Sequence, residues 1–211
     1  MENHKNVTLV EHPVVARDLT ILRNQSVSIT EFRAALKRIS TILGYFALKD
    51  LPLRTLTVET PIEETEGYEI DTDVVVVPIL RAGLGLVNGI VDFIPDAKVG
   101  HLGMYRDEDT HQPVDYYTNL PEGIEDAYLV LVDPMLATGG SANDALNYLK
   151  TQGAQQIHFI SLISAPEGIA FLQKKHPDIQ IITAAIDDRL NDDAFIVPGL
   201  GDAGDRYFGT I

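Results

Sequence analysis

The sequence predicts an α/β fold, a parallel twisted sheet flanked by helices, on three observations. Val74-Val75-Val76-Val77 is a continuous β-branched run, the composition of a strand buried on both faces. Apolar runs of strand length alternate along the chain with segments whose apolar residues recur at helical spacing, and that alternation gives a parallel sheet covered on both sides. The chain has 211 residues, 45% of them apolar, enough for one sizeable core. We therefore expect a single domain over 1–211.

The elements follow in order. Ser28-Ile29-Thr30-Glu31 is a capping-box pattern. Phe32, Leu36, Ile39, Leu43 and Phe46 then mark one face of a helix. Leu56 and Val58 alternate with threonines and predict a half-buried strand. After Val74–Val77 comes a glycine-punctuated apolar helix, Leu84 to Ile94, stopped by Pro95. Strands are expected over Lys98–Met104, Ala127–Val132, Ile157–Ile163 and Ile179–Ala185, with helices over Ala142–Lys150 and Glu167–Lys175. Two segments lack a core pattern. Residues 105–125 are polar, long and proline-bearing, and we expect a β-hairpin arm or lid. The tail from about 186 to 211 is rich in Gly and Asp.

The chemistry concentrates where the Tyr128–Val132 run ends in Asp133-Pro134-Met135-Leu136-Ala137-Thr138-Gly139-Gly140-Ser141 and passes into a helix. A Gly-rich turn at a helix start presents free backbone N–H groups and the positive end of the helix dipole to an anion. Gly139 and Gly140 let the backbone curl and approach, and Thr138 and Ser141 add hydroxyl donors. Asp133 would repel a phosphate but can accept from sugar hydroxyls. The layout points to a phosphorylated sugar. No Gly-Lys-Ser/Thr is present, which excludes a Walker loop, and no G-x-G-x-x-G follows one of the expected strands, which argues against a dinucleotide fingerprint.

Charge and composition narrow the function further. The formal net charge is −15, which argues against nucleic-acid and anionic-membrane partners. There is no cysteine, so disulfides and thiol catalysis are excluded. No apolar run reaches the length of a membrane span, and the polar start Met1-Glu2-Asn3-His4-Lys5 lacks a signal-peptide core. A cytoplasmic location is the expectation. The six histidines show no metal-ligand spacing, and we expect no protein-held metal; His101, inside a strand, reads as a core residue. Arg81 follows the buried strand in Leu80-Arg81-Ala82-Gly83, where a guanidinium can fork onto a diphosphate. Arg106 is a second candidate.

Asp133–Ser141 resembles the phosphoribosyl-diphosphate loop of the type I phosphoribosyltransferases, with Pro134 where that loop usually carries a second acid. Three further stretches resemble the uracil phosphoribosyltransferase branch of that family: Val77–Gly85, Gly103-Met104-Tyr105-Arg106, and Pro198–Asp205 running on to Phe208-Gly209-Thr210. Ala165-Pro166-Glu167-Gly168 is a lesser match. Together they cover essentially the whole chain in order.

The resemblance implies the type I phosphoribosyltransferase fold, with a flexible arm and a small C-terminal hood carrying the base pocket. It implies conversion of uracil and 5-phospho-α-D-ribose 1-diphosphate (PRPP) to UMP and diphosphate in pyrimidine salvage. Arg81, Arg106 and Asp202 are the implied catalytic residues. PRPP would be bound by Arg81, Arg106, Asp133, Pro134, Met135, Leu136, Ala137, Thr138, Gly139, Gly140, Ser141 and Asp202. The loop at Arg81 often contains a strained peptide in this family, which Gly83 and Gly85 would help accommodate. Uracil would be held by Ile196, Gly201, Asp202 and Ala203, largely through main-chain groups. Mg²⁺ bound with the diphosphate, a homodimer or higher homo-oligomer, and GTP as an effector are also implied. The alternative is an RNA-binding regulator of pyrimidine operons with the same fold.

Overall fold

The computed structural model of the chain describes residues 6–106 and 113–210. In order the elements are β1 (Val7–Leu9), α1 (Pro13–Arg23), α2 (Ile29–Ala47), β2 (Leu53–Glu59), β3 (Glu64–Ile70), β4 (Val74–Pro78) and α3 (Leu84–Phe93). Next come β5 (Lys98–Val99), β6 (His101–Arg106), β7 (Pro113–Asn119), β8 (Tyr128–Val132), β9 (Met135–Leu136), α4 (Gly140–Thr151) and β10 (Gln156–Ser164). The chain ends with α5 (Pro166–Lys175), β11 (Gln180–Ile186), β12 (Arg189–Leu190), β13 (Ile196–Val197) and α6 (Ala203–Phe208).

The doubly buried runs sit at the centre. The sheet order is β1-β11-β10-β8-β4-β5, every pairing is parallel, and β9 continues beside β10. Side chains alternate across it. Val74, Val76, Tyr128, Val130 and Val132 pack with α1, α2 and α3, while Val75, Val77, Leu129 and Leu131 pack with α4 and α5. Both faces are thus covered, as a run with no polar alternation requires. The capping box forms as expected: Ser28 Oγ accepts from Glu31 N at 3.2 Å, and Glu31 Oε2 accepts from Ser28 N at 3.3 Å. Glycine brings α3 onto α2, because a Cβ at Gly89 would lie 1.9 Å from Ser40 Oγ.

The structure corrects three expectations. Lys98–Met104 is not one strand: it divides at Gly100, and β6 leaves the sheet to pair antiparallel with β7, with a register shift between Gly103 and Met104. The strand through Leu56 and Val58 exists as β2, but it is not half-buried. β2 pairs only with β3, and almost every residue of this hairpin is exposed. His101 is half-exposed against the Tyr117 ring rather than a core residue. The tip of the 105–125 arm, residues 107–112, lies outside the described residues.

Candidate functional site

The site is built at the carboxyl ends of β4 and β8, where ligands of open α/β sheets bind. β8 runs into Asp133, whose N–H bonds Ile160 O at 3.1 Å. The chain then makes β9, turns through Ala137–Gly139 and enters α4. Gly139 precedes α4 in the left-handed region (φ 83°), and no side chain caps the helix. The first-turn N–H groups of a 12-residue helix therefore face outward with the positive dipole end behind them. Only Thr138 Oγ1 approaches, accepting weakly from Gly140 N at 3.4 Å.

α5 supports the turn from behind. A Cβ at Gly168 would lie 2.3 Å from Ala137 O, and one at Gly139 would lie 2.8 Å from the Phe171 ring. The Ala165–Gly168 stretch is therefore the floor under the turn. If the turn binds the phosphate of a phosphorylated sugar, as the sequence leads us to expect, replacing Gly139 by valine is expected to raise KM for that sugar at least about tenfold, through the left-handed strain and the lost backbone approach. Steady-state kinetics with the phosphorylated sugar varied would measure this, and an unchanged KM would refute a phosphate site at this turn.

β4 delivers the second loop. The Leu80–Arg81 peptide is cis, and Gly83 packs so tightly that a Cβ would lie 2.5 Å from Val132 O. The Arg81 side chain is 58% exposed; its Nη2 is 3.4 Å from Asp205 Oδ1, and its Cζ lies 5.6 Å from the Phe208 ring centre. Arg106 closes β6 at the root of the arm, and its side chain lies outside the described residues.

The hood follows β11. β12 and β13 form a small antiparallel pair, the Val197–Pro198 peptide is cis, and Gly201 (φ 78°) leads into α6. Asp202 caps α6, its Oδ1 accepting from Asp205 N at 2.8 Å. Between hood and sheet lies a cavity of about 260 Å³, lined by Ala82, Asp133, Met135, Ala137, Ala194, Phe195, Ile196 and Gly201–Gly204.

The cavity brings Asp133, Met135, Ala137, Ile196, Gly201, Asp202 and Ala203 onto common walls, from stretches some seventy residues apart. Pro134 and Leu136 are buried beneath the turn rather than on its surface, and Thr138, Gly139, Gly140 and Ser141 form the start of α4. Arg81 borders the cavity through Ala82. Sequence reasoning missed Ala82, Ala194, Phe195 and Gly204 as wall residues. Ala194 has a positive φ of 63°, which no residue type announces, and Phe195 is 51% exposed, which an aromatic side chain does not announce either. Burial pushes the Asp133 carboxyl up to about 7; the weak bond from Met135 N–H opposes this, and the nearby Asp202 charge adds to it. Among the described residues, no group of three or more His, Cys, Asp or Glu could hold a metal ion, and no helix is long and apolar enough to cross a membrane.

A parallel sheet with an acid and a Gly-rich turn at the end of its central strand, facing a hood across a cavity, defines the type I phosphoribosyltransferase class. Solved structures agree on the fold. Adenine phosphoribosyltransferase of Leishmania donovani superposes with a TM-score of 0.59 at 16% identity, over 92% of this chain and 89% of that one. A protein of Aquifex aeolicus superposes at 0.89 with 37% identity, over 96% and 97%. Uracil phosphoribosyltransferase of Salinibacter ruber is 53% identical over 206 residues, 98% of each chain. That of Levilactobacillus brevis is 53% identical over 203 residues, 96% of this chain and 97% of the relative. A profile of the uracil phosphoribosyltransferase family matches residues 9–210, and the chain belongs to that family.

Proposed function

We infer that the chain is a pentosyltransferase that joins uracil to PRPP, making UMP and diphosphate. The observation that best supports this reading is the cavity, whose lining joins Asp133, Met135 and Ala137, just ahead of the α4 turn, to Ile196 and Gly201–Ala203 of the hood. The turn takes the 5′-phosphate on the first N–H groups of α4. Asp133 accepts from the ribose hydroxyls. Ile196, Gly201, Asp202 and Ala203 read the edge of the base through N–H and C=O groups brought close by glycine.

The bond to the leaving diphosphate loosens ahead of bond formation to uracil N1, so positive charge grows on the ribose and negative charge on the diphosphate. The protein's task is positioning and charge stabilisation rather than supplying a nucleophile. Arg81 and Arg106 take the leaving charge. Mg²⁺ would arrive with the diphosphate of PRPP and supply positive charge to the leaving group; a hard ion that keeps most of its waters needs few protein carboxylates, and Asp202, which lines the cavity, would be the residue to meet it. The β6–β7 arm closes over the sugar and excludes water, since hydrolysis is the competing reaction. UMP formation from uracil, PRPP and Mg²⁺ tests the reading; no UMP, or equal turnover of hypoxanthine, refutes it. No observation favours the RNA-binding regulator. GTP activation and a cytoplasmic location stay with the reading as family expectations, and an unchanged rate on adding GTP removes the first.

A homodimer also belongs to this reading, and the β2–β3 hairpin supplies its surface. Leu53, Leu56, Val58, Ile62 and Tyr68 are 60, 36, 39, 91 and 63% exposed on it. A two-stranded hairpin with almost every residue exposed is marginal in water, and an apolar arm of this kind marks an interface. Ile62→Asp with Tyr68→Asp is expected to convert the dimer to monomer in sedimentation equilibrium. An unchanged mass would remove the hairpin from the interface.

A further inference from the structure

The base-binding turn is held by three charged side chains that line no wall of the cavity described above. Arg23, the last residue of α1, forks onto Asp187, with Nη1 to Oδ2 at 2.8 Å and Nη2 to Oδ1 at 2.6 Å. Between them sits Gly199. Its N–H donates to Asp187 Oδ2 at 2.8 Å, and its carbonyl accepts from Arg23 Nη1 at 2.8 Å, so both its backbone groups are used. Asp187 is itself anchored, its N–H bonding Ser164 O at the end of β10 at 2.9 Å. The side chains of Arg23 and Asp187 are 28% and 4% exposed.

Arg206 acts from the other side of the turn. Its Nη1 donates to Leu22 O and, at 2.6 Å, to Leu200 O; its Nη2 donates to Asn24 O at 2.6 Å. Its guanidinium lies over the Phe32 ring at 4.7 Å. Leu22 and Asn24 belong to the end of α1, whose last carbonyls lack helical partners. Both flanks of the Gly201–Ala203 turn are therefore fixed to one rigid body, the C-terminus of α1 packed in the core.

We propose that Arg23, Asp187 and Arg206 are positioning residues for the base: they fix the main chain of the 199–203 turn so that uracil meets preset donors and acceptors. The proposal rests on the reading that this turn receives uracil. Two physical points carry it. Main-chain recognition demands placement to within about half an ångström from supporting groups, and Gly199 and Gly201 (φ 63° and 78°) leave this turn without the stiffness of side-chain packing. A buried ion pair is also a poor device for stability alone, since an apolar replacement often serves as well. What an apolar pair cannot do is engage the N–H and C=O of Gly199 together.

The test is a split in Michaelis constants. Asp187→Asn, Arg23→Lys and Arg206→Lys are each expected to raise KM for uracil at least about tenfold, or about 1.4 kcal/mol, while KM for PRPP stays within about twofold. Lysine keeps the charge but not the fork, so it gives no rescue. A merely structural role would lower the melting temperature and the active fraction with both constants unchanged; that result, or a parallel rise in both, overturns the proposal. Gly201→Val serves as the control. If it leaves KM for uracil unchanged, the turn is not the base site; if it raises that constant while the three variants do not, only the clamp fails. Amide exchange on the wild-type chain decides the matter even where a variant does not fold. The Gly199 N–H is expected to be protected as strongly as the amides of β10 in the free protein. Fast exchange that slows only with UMP bound would overturn the preset turn.

Discussion

Arg81→Ala is expected to lower kcat for UMP formation by at least about a hundredfold, with the fold intact. The loss of one donor aimed at developing negative charge in an enclosed site costs about a hundred- to thousandfold, and the proposed function assigns that donor to Arg81. The fold does not depend on it. Its guanidinium is largely exposed, and its partners are the half-exposed Asp205 at 3.4 Å and the Phe208 ring at 5.6 Å. Exposed contacts of this kind contribute under about 1 kcal/mol each. The Asp205 contact is compatible with that role, since a long, exposed pair would be readily exchanged for a diphosphate that accepts on both tines of the fork. Arg81→Lys should recover only part of the rate. Steady-state rates beside thermal melting would check both variants, and near wild-type turnover in the alanine variant would remove Arg81 from the leaving-group role.

The chain announces the Asp133–Ser141 turn more openly than the hood side of the cavity. Asp133, the paired glycines and the apolar strand before them form a local unit, because a strand, a tight turn and a helix start are adjacent in sequence and each carries its own pattern. The central strands are equally plain, since burial on both faces leaves no polar residue in Val74–Val77. The hood is different. Gly201 and Asp202 look like any turn, and only resemblance points to the base; what makes them a wall is their approach to Asp133 across the cavity. Arg23 and Arg206 are further from view still, because their partners Asp187 and Leu22 lie 164 and 184 positions away. β2 misleads for a related reason: alternating Leu56 and Val58 do signal a surface to be covered, but nothing among the described residues covers it.

Asp133→Asn is expected to cost activity and gain stability, with opposite dependence on pH. In the free protein, burial holds the carboxyl at about 7, against an ordinary value of 3.8. An acid raised on folding favours the folded state in full below about pH 4; that contribution declines as pH rises and is gone above about 7. Above 7 the folded chain therefore carries a charge in a poorly solvated place. The full displacement corresponds to about 4 kcal/mol, and since the residue is only partly buried we expect about 1–3 kcal/mol. Asparagine, which never ionises, should raise the melting temperature by about 2–10 °C at pH 8 and by little at pH 5. The proposed role asks for the opposite charge state. A carboxylate accepts from two ribose hydroxyls, and hydrogen bonds to a charged group contribute about 1.5–3 kcal/mol each. The asparagine variant should lose at least about a hundredfold in kcat/KM for PRPP. The wild-type value of kcat/KM should itself fall as pH drops below about 7, since the free enzyme must hold the carboxylate to bind the sugar. Calorimetry and PRPP kinetics at the two pH values measure both halves. If the variant were stabilised yet bound PRPP normally, Asp133 would be a misplaced charge and no sugar ligand. If it were destabilised at pH 8, the carboxylate would be better solvated or better bonded than its surroundings indicate.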